Sequence, residues 1–322
     1  MERINYKAFI EDNFMIIDKA GRVVKFILND TQNFYWDILR NEYPTMKGIR
    51  ENILKFRQPG FSSFIDAMFT VDFIFSEQKR QPITASDIYS HKDDETAKLF
   101  KRVSFFLDCF LQKNHIPRKG YLLGDTQGKR IEGHTHSTVQ AFTANARVSG
   151  RGDTKQNLHF SEPAFYPNTD IFNANELVLG VEQQVADGVG KIFRESTGNV
   201  VGDFYNEEYE YGKQQGAKFK SRFLGWWLHK EYQTDPPRGW VPPPRYLPIM
   251  QEHHATIQSC YWHHTKIMSA KPADRERIAR EYPCDDIEAF MQQGTGYFDI
   301  EALRYYKDIM KRKQMTENIL YV

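Results

Sequence analysis

The sequence predicts an α/β fold, a mostly parallel central sheet followed by a smaller helical unit. Three observations carry that expectation. From Asn52 to about Phe223, short strand-like apolar runs alternate with helical stretches, the pattern of strands joined by crossover helices. DPPRGWVPPPRY (Asp235–Tyr246) then places five prolines in twelve residues, an extended linker or rigid strap. Everything after it reads as helix.

Taken in order, the first fifty residues, with FILNDTQNFYWDIL, are an elaboration that precedes the sheet. ENILKF reads as a strand and Ser62 to Phe75 as a helix; PITASDIY is the next strand. DDETAKLFKRVSFFLDCFL is a strong helix, with Leu99, Val103, Phe106 and Phe110 at 3–4 spacing and acids at its start. YLLGDTQGKRIEG is a hairpin turning near Asp125–Gly128, followed by strand STVQAFTA. NLHFSE, KIFREST and KFKSRFLGWW are further strands, separated by helical segments near 173–187 and 201–214. After the strap, helices are expected at Pro248–Met268, Ala273–Glu281, Asp285–Gln293 and Ile300–Lys313. The expected units are therefore residues 1–50, 51–235 and 236–322.

Composition narrows the class. Lys and Arg total 43 against 42 Asp and Glu, which excludes a polybasic nucleic-acid binder but not a motor that grips DNA through a local patch. Hydrophobic residues at 40% and aromatics at 14% exclude a disordered chain. No apolar run approaches the roughly 20 residues of a membrane helix, and MERINYKAFI lacks the apolar centre of a signal peptide. Three scattered cysteines build neither a disulfide framework nor a four-thiolate zinc site. A soluble intracellular protein is expected.

The first chemical signal is Lys55-Phe-Arg57-Gln58-Pro59-Gly60-Phe61-Ser62-Ser63, between a strand and a helix. A phosphate loop needs backbone amides around a tight turn, a cation near the β/γ-phosphates and a hydroxyl for Mg²⁺. Gly60 and Ser62 fit G-x-x-x-x-G-K-[ST], whereas Phe61 replaces the lysine and Lys55 the first glycine. Read alone, an ordinary strand–turn–helix with a capping serine accounts for it better. Further along, Leu158–Phe160 runs directly into Ser161-Glu162. A strand ending in an acid is where RecA-like ATPases keep the carboxylate that orients the attacking water. The next strand ends in Glu195-Ser196-Thr197-Gly198, small hydroxyl residues at the edge where open parallel sheets bind ligands. Upstream, the Gln32 amide offers both a donor and an acceptor to adenine.

LKFRQPGFSS, ASDIYSHKDDETAKLFKRV, SGRGDTKQNLHFSEPAF, ESTGNVVGDFY and REYPCDDIEAF, in that order, resemble the large terminase subunit of tailed bacteriophages, from about Gln32 to Phe298. The resemblance implies a RecA-like phosphate-loop ATPase with a helical lid, hydrolysing ATP with Mg²⁺ to move double-stranded viral DNA into a procapsid. It implies a ring on the portal protein, a small terminase subunit as partner, and the host-cell cytoplasm as location. Carried onto this chain, Gln32 resembles the adenine-contacting glutamine and Lys55 the displaced lysine of deviant phosphate loops. Arg57 touches a phosphate from within the subunit, Gly60 gives the turn, and Ser62 holds Mg²⁺. Glu162 resembles the catalytic glutamate, Ser196 and Thr197 the coupling motif, and Arg151 an arginine finger acting on a neighbour, with Arg147 as the rival. One departure is Ser161, which stands where many relatives carry the Mg²⁺-associated aspartate; a neutral hydroxyl is the poorer partner for a hard cation. The other is the nuclease usual in such subunits, for which no strand-rich segment follows EYPCDDIEAF; none is expected of an ATPase half alone. The alternatives are a helicase- or remodeller-type ATPase and a degenerate scaffold that binds without hydrolysing.

Other constellations have simpler readings. His253/His254 and His263/His264 on one helix lie ~15 Å apart, too wide for one zinc with Cys260 unless the helix breaks. Asp285 three residues before Glu288 reads as a capping box. Trp36, Trp226 and Trp227 belong to cores or seams. The basic pairs at 79–80, 101–102, 118–119 and 129–130 are candidates for a DNA track, with solvated faces as the simpler reading.

Overall fold

A computed structural model of the chain describes residues 4–79, 82–126, 129–144, 154–169, 172–290 and 309. Helix α1 (Tyr6–Asn13), the hairpin β1 (Met15–Ile17) and β2 (Val23–Lys25), and helix α2 (Asp30–Glu42) precede the sheet. Strand β3 (Arg50–Lys55), helix α3 (Phe61–Lys79), strand β4 (Ala85–Ser90) and helix α4 (Asp93–Lys113) follow the expected alternation. The turn α5 (Arg118–Tyr121) leads into β5 (Leu122–Thr126), β6 (Arg130–Gly133) and β7 (Thr138–Thr143). Strand β8 (Asn157–Ser161), helix α6 (Ala174–Glu182), strand β9 (Lys191–Ser196), helix α7 (Phe204–Tyr211) and strand β10 (Lys220–Leu224) complete the sheet.

The eight-stranded sheet runs β10-β3-β9-β8-β4-β7-β6-β5. From β10 to β7 every pairing is parallel, and only the β5–β6 and β6–β7 pairings are antiparallel. The α/β class with a mostly parallel central sheet is therefore as expected. The order separates β3 from β8 by one inserted strand, β9, which is the RecA-like arrangement.

Both faces of the parallel part are covered, as βαβ crossovers require. On one face, Ile53 and Phe193 pack with the apolar residues of α3 and with Leu99, Val103, Phe106 and Phe110 of α4. Tyr6, Phe14, Phe26 and Tyr35 of the N-terminal elements join that same core. On the other face, Leu158, Phe160 and Ile192 pack with Leu177, Val178 and Val181 of α6. Helix α3 is buried nearly all round, so its polar residues need partners. Asp72 has them in Tyr6, Asn157 and Lys191.

After the strap come α8 (Leu247–His253), α9 (Ile257–Met268), α10 (Arg275–Glu281) and α11 (Asp286–Ala289). The single helix expected over Pro248–Met268 is broken: His254 takes a left-handed φ of 55° and caps α8, and Thr256 caps α9. Residues 300–308 and 310–313 of the last expected helix lie outside the described residues. Helices α8 to α10 gather around Trp226, which is fully buried with Phe56, Tyr232, Tyr246 and Tyr282. His263 stacks on Trp226 with ring centres 4.3 Å apart and planes 4° from parallel. Its Nε2–H donates to the Tyr282 carbonyl at 2.7 Å, which leaves Nδ1 to accept from the Tyr246 hydroxyl at 2.9 Å. His253 stacks on Trp227, so these rings serve packing. Asp285 caps α11 through the Glu288 amide, while Glu288 binds the Cys284 amide and Arg245. Arg102, Arg118 and Arg130 each pair with a nearby carboxylate.

Burial, then the charge of Arg245, lowers the His263 pKa to about 3. Unfolded, the imidazole titrates near 6.5. Its full contribution to stability is therefore present above about pH 6.5 and is lost as pH falls toward 3. We expect His263→Gln to be less stable at neutral pH by about 1–3 kcal/mol. Between pH 6 and 4 it should lose stability less steeply than the wild type, by up to about 1.4 kcal/mol per pH unit. Urea denaturation across that range measures both, and equal slopes would mean the ring is not held neutral.

Candidate functional site

Adjacent parallel strands end at one edge of the sheet and bring separated parts of the sequence together. Register pairs Leu54 of β3 with Ser196 of β9, and Glu195 of β9 with Ser161 of β8. Lys55, Ser161-Glu162 and Ser196-Thr197 thus meet side by side. Between β3 and α3 the chain turns through Gln58 (φ 60°) and Gly60 (φ 77°). Glu162 is also left-handed, φ 55° and ψ 49°. A non-glycine residue there is uncommon and costs strain, so the surrounding contacts hold it. Its amide donates to the Glu195 carbonyl at 2.8 Å, locking the strand end to β9.

The Lys55 ammonium is buried between two carboxylates, 2.7 Å from Glu162 Oε1 and 3.1 Å from Glu195 Oε2. Burial alone would lower its pKa, but Glu162 and Glu195 raise it above the ordinary lysine value, so it is charged. The other oxygen of Glu162 accepts from Ser196 Oγ at 3.0 Å, the Thr197 amide at 2.9 Å and Thr197 Oγ1 at 3.2 Å. One acid is therefore tied to Lys55 at the end of β3 and to both Ser196 and Thr197 at the end of β9.

Glu195 is fully buried. Its Oε1 accepts from Ser62 Oγ at 2.7 Å, Ser161 Oγ at 2.8 Å and His159 Nε2 at 3.1 Å. Behind it, His159 Nδ1 donates to Asp66 at 3.0 Å, and Asp66 pairs with Arg102 at 2.9 Å. Burial would raise the Glu195 pKa, yet Lys55 and His159 outweigh it and hold the carboxyl below the usual range. Burial would likewise discharge His159, but Asp66 and Glu195 keep it protonated. The network holds three cations (Lys55, His159, Arg102) and three anions (Glu162, Glu195, Asp66).

Lys55, Ser62, Ser161, Glu162, Ser196 and Thr197 are thus joined in one network. Gln32 is not in it. Its Oε1 accepts from the Asn29 amide in a capping box and its Nε2 donates to the Gly60 carbonyl at 2.7 Å. Both ends of the amide are engaged in propping the loop, and Asn29 adds a bond to the Pro59 carbonyl at 3.0 Å. Arg57 turns to Glu281 of α10, 2.6 Å away. Phe61 is buried against Tyr35, and Ser63 is buried beside it. Arg147 and Arg151 lie outside the described residues. Glu195, His159, Asp66 and Arg102 are the members that sequence reasoning passed over. For Glu195 and His159 the available signal was a titratable residue inside a strand buried on both faces, and for Asp66 an acid in a run too apolar all round to leave it solvated, where each charge must have partners.

No family model matches the chain, and no curated protein matches it. Among solved structures, it is similar to a mutant of the large terminase ATPase domain of Thermus phage P74-26, at 14% identity and TM-score 0.43, covering 75% of this chain and 90% of that one. It is also similar to the large terminase of a thermophilic bacteriophage, at 11% identity and TM-score 0.45, covering 77% of this chain. Of that terminase the chain spans about half, 52%. The same terminase in complex with ATP-γ-S matches at 13% identity and TM-score 0.42, over 63% of this chain and 46% of that one.

The Gln32 prop is testable by a double-mutant cycle. A Cβ on Gly60 would sit 2.9 Å from Gln32 Nε2, in a backbone conformation that L-residues resist. Gly60→Ala and Gln32→Ala should each cost about 1–2 kcal/mol. Because both act on one contact, the double variant should lose measurably less than the sum. Additive losses in chemical denaturation would show that Gln32 does not hold the loop.

Proposed function

We propose that the chain is an ATPase whose hydrolysis drives double-stranded viral DNA into a procapsid, as a large terminase does. The observation that carries the ATPase reading is the Lys55–Glu162–Thr197 connection at the sheet edge, beside the N-terminus of α3. The phosphates lie over the loop at 56–60, where Lys55 supplies the cation and the start of α3 favours negative charge. Hydroxyl and carboxylate oxygens at this edge suit a hard cation, with Ser62 among its holders. When bound, Mg²⁺ neutralises charge on the β/γ-oxygens.

The ground-state contacts define what ATP must change. Phosphate oxygens compete with Glu162 for the Lys55 ammonium. Glu162, released on that side and partly exposed, orients a water and accepts its proton. Because Ser196 and Thr197 bind the other oxygen of the same carboxylate, a change at Glu162 is felt in their segment. Arg57, held here by Glu281, links the loop to the helical unit. DNA, the portal, a small subunit and a ring of copies are partners in this proposal, and Arg151 is the finger supplied between copies. Among the described residues, no helix is long and apolar enough to cross a membrane.

Lys55→Ala should abolish ATP turnover. Glu162→Gln should keep ATP binding and lose turnover by about 10²–10⁴-fold, measured by phosphate release beside a nucleotide-binding titration. Equal losses of binding and turnover in Glu162→Gln would make the acid structural. Turnover retained in Lys55→Ala would end the phosphate-loop assignment. Arg151→Ala should lose about 10³–10⁵-fold in rate with ATP affinity intact. Mixed with Glu162→Gln chains under conditions where rings form, it should recover activity, since each kind of chain keeps what the other lacks. No recovery in confirmed assemblies would remove the finger in trans.

A further inference from the structure

We propose that Glu195 is the Mg²⁺-associated carboxylate of this site, moved one strand over from the position that Ser161 leaves without charge. The inference rests on the nucleotide-binding reading above and adds a role that the motif order did not assign.

In phosphate-loop NTPases Mg²⁺ is held by the hydroxyl at the head of the loop helix and by an aspartate at the end of a neighbouring strand. Here the strand end offers Ser161. Its Oγ donates to Glu195 Oε1 at 2.8 Å, and the loop hydroxyl of Ser62 donates to the same oxygen at 2.7 Å. One carboxylate oxygen is thus within hydrogen-bond distance of both groups that mark the metal position. The sheet register explains how: Ser161 and Glu195 are direct partners on adjacent parallel strands. The glutamate, one methylene longer than an aspartate, reaches across to its neighbour's end.

Charge balance gives a second, independent reason. If Lys55 turns to phosphate, Glu162 and Glu195 both lose its ammonium, and Glu195 keeps one cation, His159, which it shares with Asp66. The Glu162 side chain is 24% exposed and can take water instead; that of Glu195 is 0% exposed and cannot. A fully buried carboxylate that loses one of its two cations is less well compensated. A divalent cation arriving with the nucleotide would supply positive charge at the carboxylate that has given up one of its two cations. His159, bonded to Glu195 on one side and Asp66 on the other, is a positioning residue that keeps Oε1 turned toward the two hydroxyls.

The test reads metal binding rather than turnover. Mn²⁺ is titrated into the full chain with ADP and followed by the electron paramagnetic resonance of free Mn²⁺; ADP affinity is measured separately in chelator. Glu195→Gln should weaken Mn²⁺ binding to the ADP complex by about 10- to 100-fold while metal-free ADP affinity stays near wild type. Adding Ser161→Asp to that variant should restore Mn²⁺ affinity, because the charge returns at the neighbouring strand end. Glu195→Asp keeps the charge in the network and serves if the amide variant does not fold; its Mn²⁺ affinity should fall by a smaller factor. Wild-type Mn²⁺ affinity in Glu195→Gln, or equal loss of metal-free ADP binding, would overturn the proposal. So would a double variant no better than Glu195→Gln alone. A wild-type chain that binds no ADP would instead overturn the nucleotide reading, and this inference with it.

Discussion

The Lys55 ammonium lies 2.7 Å from Glu162 and 3.1 Å from Glu195, and the end of the sheet is organised around that buried cation. Three parallel strands supply the three charges, so the attraction acts across β3, β9 and β8 and not within one element. Taking these groups from water carries a desolvation cost of several kcal/mol per ion, and only good geometry with further hydrogen bonds offsets it. The further bonds are present. Glu162 has Ser196 and Thr197, and Glu195 has Ser62, Ser161 and His159. An arrangement this costly in desolvation is poor value as a stabiliser alone. It does fix which strand ends lie together, and it stores a cation that anionic oxygens can draw away.

The same logic extends inward along α3. Its two buried acids, Asp66 and Asp72, are out of reach of water, and different elements neutralise them. Asp66 meets His159 of β8 and Arg102 of α4, and Asp72 meets Lys191 of β9. The two acids are six residues apart on α3, and their partners bind that helix to the sheet and to α4. Since α3 begins where the loop at 56–60 ends, these bonds hold that loop's downstream end at fixed height over the strand ends. Upstream, the Asn29–Gln32 capping box holds the carbonyls of Pro59 and Gly60. The loop is anchored at both ends by groups outside it.

What was legible in the sequence follows from range. The elements announce themselves locally: acids at the head of α4, its 3–4 apolar spacing, and the short apolar runs of β3, β8 and β9 are properties of neighbours in the chain. Lys55, Ser62, Glu162 and Thr197 are legible because each sits at a strand end or helix start. Glu195 is harder to place because its meaning lies across the sheet. Within KIFRES it is a charge in a buried strand, and only the pairing of β9 with β8 puts it beside Ser161. The break at His254 was missed for a related reason. The run from Pro248 to Met268 has no proline or glycine inside it, so no local breaker marks the left-handed turn at exposed His254. Gln32 shows the converse: its amide suits a base, but a capping box and the Gly60 carbonyl already use both ends.

The helical unit after the strap touches both halves of the lysine-centred site. Phe56, the residue after Lys55, is buried among Tyr232 and Tyr282, and the Arg57 amide donates to the Glu281 carbonyl at 2.9 Å. On the far side, Gly198 lies so close to α11 that a Cβ there would fall 2.0 Å from the Ala289 carbonyl oxygen. Glycine is required at that point by contact and not by conformation, since only a missing side chain lets the two backbones approach. The residues flanking Lys55 and those flanking Thr197 are therefore both clamped by the unit that includes α10 and α11. In the proposed cycle, a shift of Glu162 away from Lys55 changes the forces on both clamps at once. Close-packed contacts of this kind pass displacement on with little compression. The helical unit is thus the element mechanically placed to register the state of the Glu162 carboxylate, and that placement is what the proposed ATPase needs if hydrolysis is to move something larger than a proton.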